Sequence, residues 1–434
     1  MFIKKPSIIA CVMLLTLLAA SCAREAKQET KQGEVPASNA PATNVPKPVR
    51  VSADNTDAAE PSVAPAPDGT AYIAWVEHRE NKDADVMLAH LDREGQTVGA
   101  PVRVNPNTGE ATAWRGDPPT VAVAADGTIY VGWTARVAAE GYANDLYLSA
   151  SRDKGKTFEQ PVKVNDDEKK VAHAMHSLAV GVDNRIYVVW LDERNVVMPP
   201  ADHTGKKMAH MEANREVFFA SSSDSGRSFS ANQRLGKEAC PCCKTAVTIG
   251  KDGRVFASWQ QVLPGEFRHI ALAASEDNGK TFSSPVIVSD DRWMTASCPV
   301  SGPSLSATSD GALRVVWYTE GERGAPGLYW AESRDNGKTF SESKSFAKGQ
   351  ARGNPLLLAN GKKGATVIWE SNEGGAARVM SASLVGDSTA TVSPLTSSGE
   401  LPSATLSGDH LFVGYISKVN DRRSIWIVRA GKQG

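Results

Sequence analysis

An eight-residue pattern that occurs four times constrains this chain more than any other feature. It reads Ser-x-Asp-x-Gly-x-Ser/Thr-Phe and spans Ser151–Phe158, Ser222–Phe229, Ser275–Phe282 and Ser333–Phe340. Each copy follows a run of alternating apolar residues, so each is predicted to be the turn of a β-hairpin. The glycine supplies a positive φ, the aspartate accepts backbone N–H bonds, and the phenylalanine gives the turn an apolar group to bury.

A second series of repeats predicts the number of structural units. A strand that ends in an aromatic residue recurs along the chain at Tyr72–Trp75, Tyr130–Trp133, Tyr187–Trp190, Phe256–Trp259, Val315–Trp317, Val367–Trp369 and Phe412–Tyr415. One four-stranded antiparallel blade per repeat gives an all-β, seven-bladed β-propeller, with a six-bladed ring as the alternative. Because the last repeat has three strands only, the strand at Pro48–Val51 is predicted to complete it and close the ring.

The repeated turns resemble the Asp box, or bacterial neuraminidase repeat, of sialidase-like β-propellers. The resemblance covers nearly the whole chain after its N-terminal segment and implies a structural role for the box aspartates Asp153, Asp224, Asp277 and Asp335. Sialidases of this kind bind the substrate carboxylate with three arginines and open their first repeat with a [FY]RIP segment. Here that strand opens with Ala59–Ser62, which contains no arginine. We therefore expect the fold, while the sialidase catalytic residues are not recognisable.

Residues 1–22 have the features of a secretion signal. A charged start precedes the apolar run Ile8–Ala20, which is too short to span a bilayer comfortably. The run ends at Leu18–Cys22, which resembles a lipobox whose cysteine becomes the lipidated N-terminus; the alternative is an ordinary cleaved signal. Ala23 follows the cysteine, and this resemblance implies an outer-membrane lipoprotein that faces the periplasm or the cell surface.

The rest of the chain divides into a tether and one domain. Residues 23–46 are rich in Ala, Pro, Lys, Glu and Gln and predict a flexible tether, and residues 47–434 predict the propeller. The net charge of −1 gives no reason to expect nucleic acid as a partner. Membrane contact is expected through the lipid anchor only, and a protein partner remains an open alternative.

Four cysteines are expected to remain in the exported domain: Cys240, Cys242, Cys243 and Cys298. In an oxidising compartment they could form disulfides, with Cys240–Cys298 as one pair. Their placement also favours a metal or redox role, because they lie in the connections that lead into two neighbouring inner strands. His173, Met175 and His176 lie at the corresponding place in the preceding repeat. We expect these side chains to meet at one mouth of the pore, opposite the Asp boxes.

The longest insertion, Asp192–Arg215, is predicted on the same face as the cysteines. The stretch 173–211 holds four of the eight histidines and four of the nine methionines. The insertion contributes the accessory candidates Met198, His203, Met208, His210 and Met211. Thiolate, thioether and imidazole ligands select Cu(I), with Zn(II) second. The leading hypothesis is therefore a soft-metal-binding propeller; a divergent glycoside hydrolase of the sialidase superfamily and a disulfide-stabilised interaction scaffold are the alternatives.

Two arginines are candidates for binding an anionic ligand at the pore. Arg115 and Arg352 occur in related segments that lead into the second and sixth inner strands. An arginine there can bind a carboxylate through two parallel hydrogen bonds. The alternative for either residue is a structural ion pair, with Glu60, Asp117 or Glu400 as the partner.

Replacing Cys22 by serine tests the predicted anchor. Lipidation is the only membrane signal in the sequence, so the Cys22→Ser protein should move from the membrane fraction to the soluble periplasmic fraction. Fractionation and immunoblotting measure the change, with Cys11→Ser inside the signal as the control. Continued membrane association of Cys22→Ser would show that another part of the chain contacts the membrane.

Overall fold

The computed structural model of the protein describes most of the chain after residue 44. The described ranges are residues 45–79, 83–137, 142–196, 214–295, 300–322, 324–349, 351–361, 364–372, 375–385, 388–389 and 392–431. At residues 352, 353, 385, 388 and 389 the description covers the backbone and not the side chain. The predicted signal and almost all of the predicted tether lie outside these ranges. Within them the chain contains strands and turns, and no helix there is long and apolar enough to cross a membrane.

In chain order the strands are β1 (Val49–Arg50), β2 (Asp57–Pro65), β3 (Ala71–His78), β4 (Ala84–Leu91), β5 (Thr97–Arg103), β6 (Thr120–Val123), β7 (Ile129–Arg136), β8 (Asn144–Ser151), β9 (Val162–Lys163), β10 (His173–Val180), β11 (Ile186–Asp192), β12 (Arg215–Ser222), β13 (Gln233–Ala239), β14 (Ala246–Ile249), β15 (Val255–Leu263), β16 (Phe267–Ser275), β17 (Val286–Met294), β18 (Ser304–Ala307), β19 (Leu313–Thr319), β20 (Gly327–Ser333), β21 (Lys344–Lys348), β22 (Ala351–Asn360), β23 (Gly364–Ser371), β24 (Arg378–Val385), β25 (Ser388–Thr389), β26 (Ser393–Pro394), β27 (Glu400–Ser407), β28 (His410–Val419) and β29 (Arg422–Gly431).

Consecutive strands pair antiparallel in units of four, as the repeats predict. β2–β5, β6–β9 and β18–β21 each form a sheet in chain order. β10–β13 and β14–β17 belong to one larger sheet, in which Ala239 and Gln261 form the pair that joins β13 to β15. In the unit that begins with β22, both β25 and β26 pair with β24. The all-β, four-stranded antiparallel architecture is therefore confirmed.

The first strands of these units form a closed ring. β2, β6, β10, β14, β18, β22 and β27 each contact the next strand in this order, and β27 contacts β2. The sheets pack face to face around the ring, and apolar side chains of two neighbouring units fill each interface. Tyr72 and Leu88, for example, pack with Ile129 and Trp133 of the next unit. Sheets that bury both faces in this way are characteristic of a β-propeller.

The N-terminal strand completes the last unit, as the three-stranded final repeat predicts. β1 pairs antiparallel with β29, with Val49 opposite Ile427, and the sheet order is β1-β29-β28-β27. Trp75 of the first unit packs in one cluster with Phe412 of the last unit. The two ends of the described chain are thus joined both by backbone pairing and by core packing.

All four repeated turns join the third and fourth strands of a unit and share one hydrogen-bond network. Asp335 accepts bonds from the Ser333 hydroxyl at 2.8 Å, from the Thr339 N–H at 2.9 Å and from the Thr339 hydroxyl at 2.6 Å. Gly337 has a φ of 80° and donates its N–H to the Ser333 hydroxyl at 2.8 Å. The same bonds occur around Asp153, Asp224 and Asp277.

Each turn also contacts the preceding unit. A Cβ atom at Gly337 would lie 2.8 Å from Leu272 and 3.6 Å from Phe256, so both the positive φ and the close approach require glycine. Phe340 packs against the apolar cluster between the same two units. The turns therefore hold neighbouring sheets together, which is a structural role.

A β-bulge at the start of several inner strands determines what lies near the ring centre. The pairing register shifts between β2 and β3, β10 and β11, β22 and β23, and β27 and β28. Five residues at the start of the inner strands have a positive φ: Glu60 (56°), Gly116 (85°), Met175 (56°), Val300 (46°) and Leu401 (47°). Bulges re-aim neighbouring side chains and are common beside binding sites.

Replacing Asp335 by alanine should lower the free energy of unfolding by roughly 1–2 kcal/mol. The turn loses four hydrogen bonds, while water partly screens this half-exposed carboxylate. Bonds from the Thr339 hydroxyl and N–H hold the pKa of Asp335 at about 2, so its contribution is present above the unfolded-state pKa of about 4 and is lost as the pH falls toward 2. Urea unfolding at neutral and acidic pH measures both effects.

Asp409, an exposed aspartate in the turn between β27 and β28, provides the matched control. Asp409→Ala should leave the free energy of unfolding within about 0.5 kcal/mol of the parent value. Equal effects of the Asp335 and Asp409 substitutions would contradict a structural role for the repeated turn.

Candidate functional site

Three cysteines meet in the connection between β13 and β14. Cys240 Sγ lies 3.1 Å from Cys243 Sγ and 4.0 Å from Cys242 Sγ. The connection is tightly turned, because the Cys240 N–H donates to Gln260 O at 2.9 Å and the Cys243 N–H donates to Cys240 O at 3.4 Å. All three cysteines are at most 6 % exposed and pack against Val262. We call these three residues the thiol cluster.

The three sulfur atoms are in two oxidation states. Cys240 and Cys243 are free thiols, whereas Cys242 is disulfide-bonded. A disulfide at Cys240, which the sequence left open, is therefore not present in the structure. Cys298, the fourth predicted ligand, lies outside the described residues. Of the predicted thiolate ligands, Cys240 and Cys243 are brought together in a form that can bind a metal directly.

Charge is distributed unevenly over the two free thiols. The hydrogen bond with Cys243 lowers the pKa of Cys240 to about 7, although burial acts in the opposite direction. The Cys242 N–H and the Arg268 guanidinium also lower it. Burial raises the pKa of Cys243, whose Sγ also lies 2.9 Å from Gln260 Oε1. Cys240 is therefore the sulfur that carries thiolate character near neutral pH.

His173 lies in a different cluster from the cysteines. Its Nδ1 donates to Asn144 O at 2.6 Å, and its Nε2 lies 3.0 Å from Asp167 Oδ1 and 3.6 Å from Asp192 Oδ2. Both ring nitrogens therefore face oxygen atoms of neighbouring residues. Asp192 also accepts the Trp190 Nε1–H at 2.8 Å. His173, Asp167 and Asp192 form a set of nitrogen and oxygen ligands that is separate from the sulfur atoms.

Met175 and His176 begin the inner strand beside the thiol cluster. Met175 is buried, and its backbone oxygen accepts a bond from the Thr245 hydroxyl at 2.8 Å, which ties β10 to the cysteine-bearing connection. The buried His176 ring faces the neighbouring unit on its other side. Its Nδ1 lies 3.5 Å from Asp117 Oδ1, and a Cβ atom at Gly132 would lie 3.3 Å from its Nε2. His176 thus lies with Asp117 and not with the sulfur atoms.

Asp117 and His176 belong to a set of buried polar side chains near the ring centre. We call this set the pore cluster; its members are Glu60, Asp117, His176, Lys244 and Ser301. Each comes from the start of a different inner strand, where the bulges lie. Four of the five are at most 6 % exposed, and the Lys244 side-chain nitrogen is buried as well.

Burial sets the protonation of two members of the pore cluster. It raises the pKa of Glu60 to about 7, although the Gly116 N–H donates to Glu60 Oε2 at 3.0 Å and opposes the shift. Burial lowers the pKa of Lys244, and the nearby charges of Asp117 and Glu60 oppose this shift. Glu60 can therefore accept or donate a proton near neutral pH.

Sequence reasoning missed Glu60, Lys244 and Ser301 as site residues. Glu60 enters the sequence analysis only as an ion-pair partner, and the other two carry no recognisable motif. The signal common to the repeats is a polar residue one to three positions before the inner strand pairs regularly, as at Asp117, His176, Lys244 and Ser301.

The two candidate arginines are placed differently. Arg115 Nη2 lies 3.5 Å from Glu400 Oε2, and 60 % of the Arg115 side chain is exposed. This is the ion pair that the sequence left open as the alternative to anion binding. The backbone of Arg352 lies in β22, and its side chain is outside the description. The accessory candidates Met198, His203, Met208, His210 and Met211 also lie outside the described residues.

Tyr318 and Glu320, at the end of β19, are joined by a short hydrogen bond. The Tyr318 hydroxyl donates to Glu320 Oε1 at 2.6 Å. Burial, followed by this bond, raises the pKa of Tyr318 well above its usual range. A hydroxyl held in this way is not activated as a nucleophile.

Comparison with known proteins gives a fold and no family. No family model matches the chain, and no curated protein sequence matches it significantly. Among solved structures, a PL25 ulvan lyase superposes with a TM-score of 0.55 at 12% identity, over 89% of this chain and 97% of that one. A protein of unknown function from Dyadobacter fermentans superposes with a TM-score of 0.53 at 15% identity, over 91% and 100%. The Hadza microbial sialidase Hz136 matches with a TM-score of 0.47 at 14% identity, over 83% and 76%.

Proposed function

We propose that this protein binds a soft metal ion, Cu(I), through Cys240 and Cys243. The observation that carries the proposal is a pair of buried free thiols 3.1 Å apart. Two such sulfur atoms need little rearrangement to hold one ion, and thiolates favour Cu(I) over hard cations. Zinc is the second choice, because structural zinc sites usually have four protein ligands and the two free thiols supply half of them.

The other predicted ligands contribute to this proposal to different degrees. Met175 begins β10, which is tied to the same connection, and its thioether suits a weak third ligand. His176 faces the pore cluster and His173 is held by acceptors, so neither is proposed as a direct ligand. Cys298 remains a proposed ligand, and the Met/His insertion remains a proposed arm for delivery of the metal.

Substitution of the two free thiols tests the metal site. Cys240→Ser and Cys243→Ser should each weaken Cu(I) binding by at least about a hundredfold, because each removes a direct ligand. Titration against a chromophoric Cu(I) chelator under anaerobic conditions measures the affinity. Met294→Ala serves as the control, since Met294 is a sulfur-bearing but exposed residue at the end of β17.

The metal proposal fails if the parent protein binds no Cu(I) stoichiometrically while its two free thiols still react with a thiol reagent after unfolding. In that case the cysteines serve the third alternative, a scaffold that carries a structural disulfide.

A polysaccharide-degrading activity is the second candidate, and Glu60 is the observation that favours it. A buried carboxyl with a pKa of about 7 suits general acid catalysis at neutral pH. The similar structures include a PL25 ulvan lyase and a sialidase, although at these identities they support the fold alone.

Glu60→Gln tests this second candidate. The parent protein should release reducing sugar or unsaturated product from an acidic polysaccharide, and the variant should lose the activity with its thermal stability retained. Activity that needs protonated Glu60 should decline as the pH rises above about 7. A panel of acidic polysaccharides without turnover by the parent protein would remove this candidate.

We also propose the finer organisation that the repeats suggest. The chain forms seven blades, it is anchored to the outer membrane through Cys22, and it faces the periplasm or the cell surface. The closed order of first strands supports the blade number, and the lipobox-like segment supports the location.

A further inference from the structure

The pore cluster carries an inference that is independent of the thiols. Asp117, His176, Lys244 and Ser301 come from the beginnings of four consecutive inner strands, β6, β10, β14 and β18. Asn354 occupies the corresponding place in the next inner strand, and its Oδ1 accepts the Gly302 N–H. One polar side chain from each of five neighbouring units therefore lies at the start of its inner strand.

Most of these side chains have unused hydrogen-bonding atoms. Asp117 Oδ1, both ring nitrogens of His176, Lys244 Nζ and Ser301 Oγ are buried and have no hydrogen-bond partner among the described residues. Buried polar atoms are nearly always paired in native proteins, since each unpaired group costs about 1–3 kcal/mol. Four such groups at one place indicate a site that is built to receive a polar ligand.

Charge is ordered around the cluster. The carboxylates Glu60 and Asp117 lie on the two units that precede His176, and the ammonium of Lys244 lies on the unit that follows it. The Ser301 hydroxyl comes next in the ring. A ligand that matches this order has a hydrogen-bond donor at one end, facing the carboxylates, and an anionic group at the other, facing Lys244 and Ser301.

The space at the centre restricts the size of the ligand. A Cβ atom at Gly116 would lie 2.5 Å from Cγ1 of Val300, although these residues belong to units that are not neighbours in the ring. A Cβ atom at Gly302 would lie 2.0 Å from Lys244 O. Asp117, His176 and Ser301 are at most 6 % exposed, which favours a small ligand over a pyranose ring.

We propose that the pore cluster binds a small carboxylic acid that carries an ammonium or hydroxyl group on the adjacent carbon. The carboxylate pairs with Lys244 and Ser301, and the adjacent donor pairs with Asp117. His176 lies between the two ends and can donate to one or accept from the other. Glycine and glycolate are the smallest members of this class, and they differ only in the donor group.

Isothermal titration of the mature, copper-free protein with glycine, glycolate and acetate tests this site. Glycine or glycolate should bind saturably and at least about tenfold more tightly than acetate, which lacks the donor. Lys244→Met should raise the dissociation constant by about tenfold or more, because a charge-assisted bond is lost. Asp117→Asn should reduce the preference for glycine and glycolate over acetate. Asp335→Ala and Asp409→Ala should leave the dissociation constants unchanged.

Several results would overturn the proposal. Absence of saturable binding by glycine and glycolate would do so, as would equal affinity of the parent and Lys244→Met proteins. If Lys244→Met does not fold, Ser301→Ala replaces it as the test variant. Ser301→Ala removes one hydroxyl and should still weaken the binding of glycine and glycolate. Binding of N-acetylneuraminic acid or glucuronate without binding of the small acids would also reject the proposal and would favour the polysaccharide-degrading candidate. Because the titration uses copper-free protein and the copper test uses a Cu(I) chelator, failure here is distinguishable from failure of the copper proposal.

Discussion

Burial of both faces of every sheet is the constraint on which the rest of this structure depends. A tryptophan on the second strand of most units, such as Trp75, Trp190 or Trp259, is fully buried at an interface. A tryptophan buries about 150–250 Å², which corresponds to roughly 4–6 kcal/mol of gross apolar stabilisation. An Asp box contributes roughly 1–2 kcal/mol. Interface packing therefore holds the sheets together, and the boxes fix how neighbouring sheets meet. The packing is complete only because β1 joins β29 and leaves no open edge on the last unit.

The same constraint explains where chemistry can occur. The sheet faces are occupied by core packing, and the Asp boxes occupy the turns between third and fourth strands. The starts of the inner strands are therefore where polar side chains are held rigidly without being used in core packing. There the bulges at residues such as Glu60 and Met175 bring side chains of several units close together. A cluster built in this way is preorganised by the ring, because no single unit could hold it.

The sequence predicted the fold well because the fold is periodic. A turn motif written four times and a recurring aromatic strand are local signals, and each copy supports the others. The close approach of Cys240 to Cys243 was also foreseeable, because the two residues are only three positions apart. The convergence of Glu60 with Lys244 was not foreseeable. It depends on the distance between two units that are far apart in the chain, and sequence spacing does not encode such a distance.

Val300 explains how two different chemistries can lie side by side in this ring. It packs against the thiol cluster on one side and approaches Gly116, next to the pore cluster, on the other. Its φ of 46° is unfavourable for a β-branched residue and costs on the order of 1–3 kcal/mol. Such strain persists only where the surrounding structure requires that conformation. The Val300 side chain therefore lies between the thiol cluster and the backbone beside the pore cluster, and the two proposed sites share it as a neighbour.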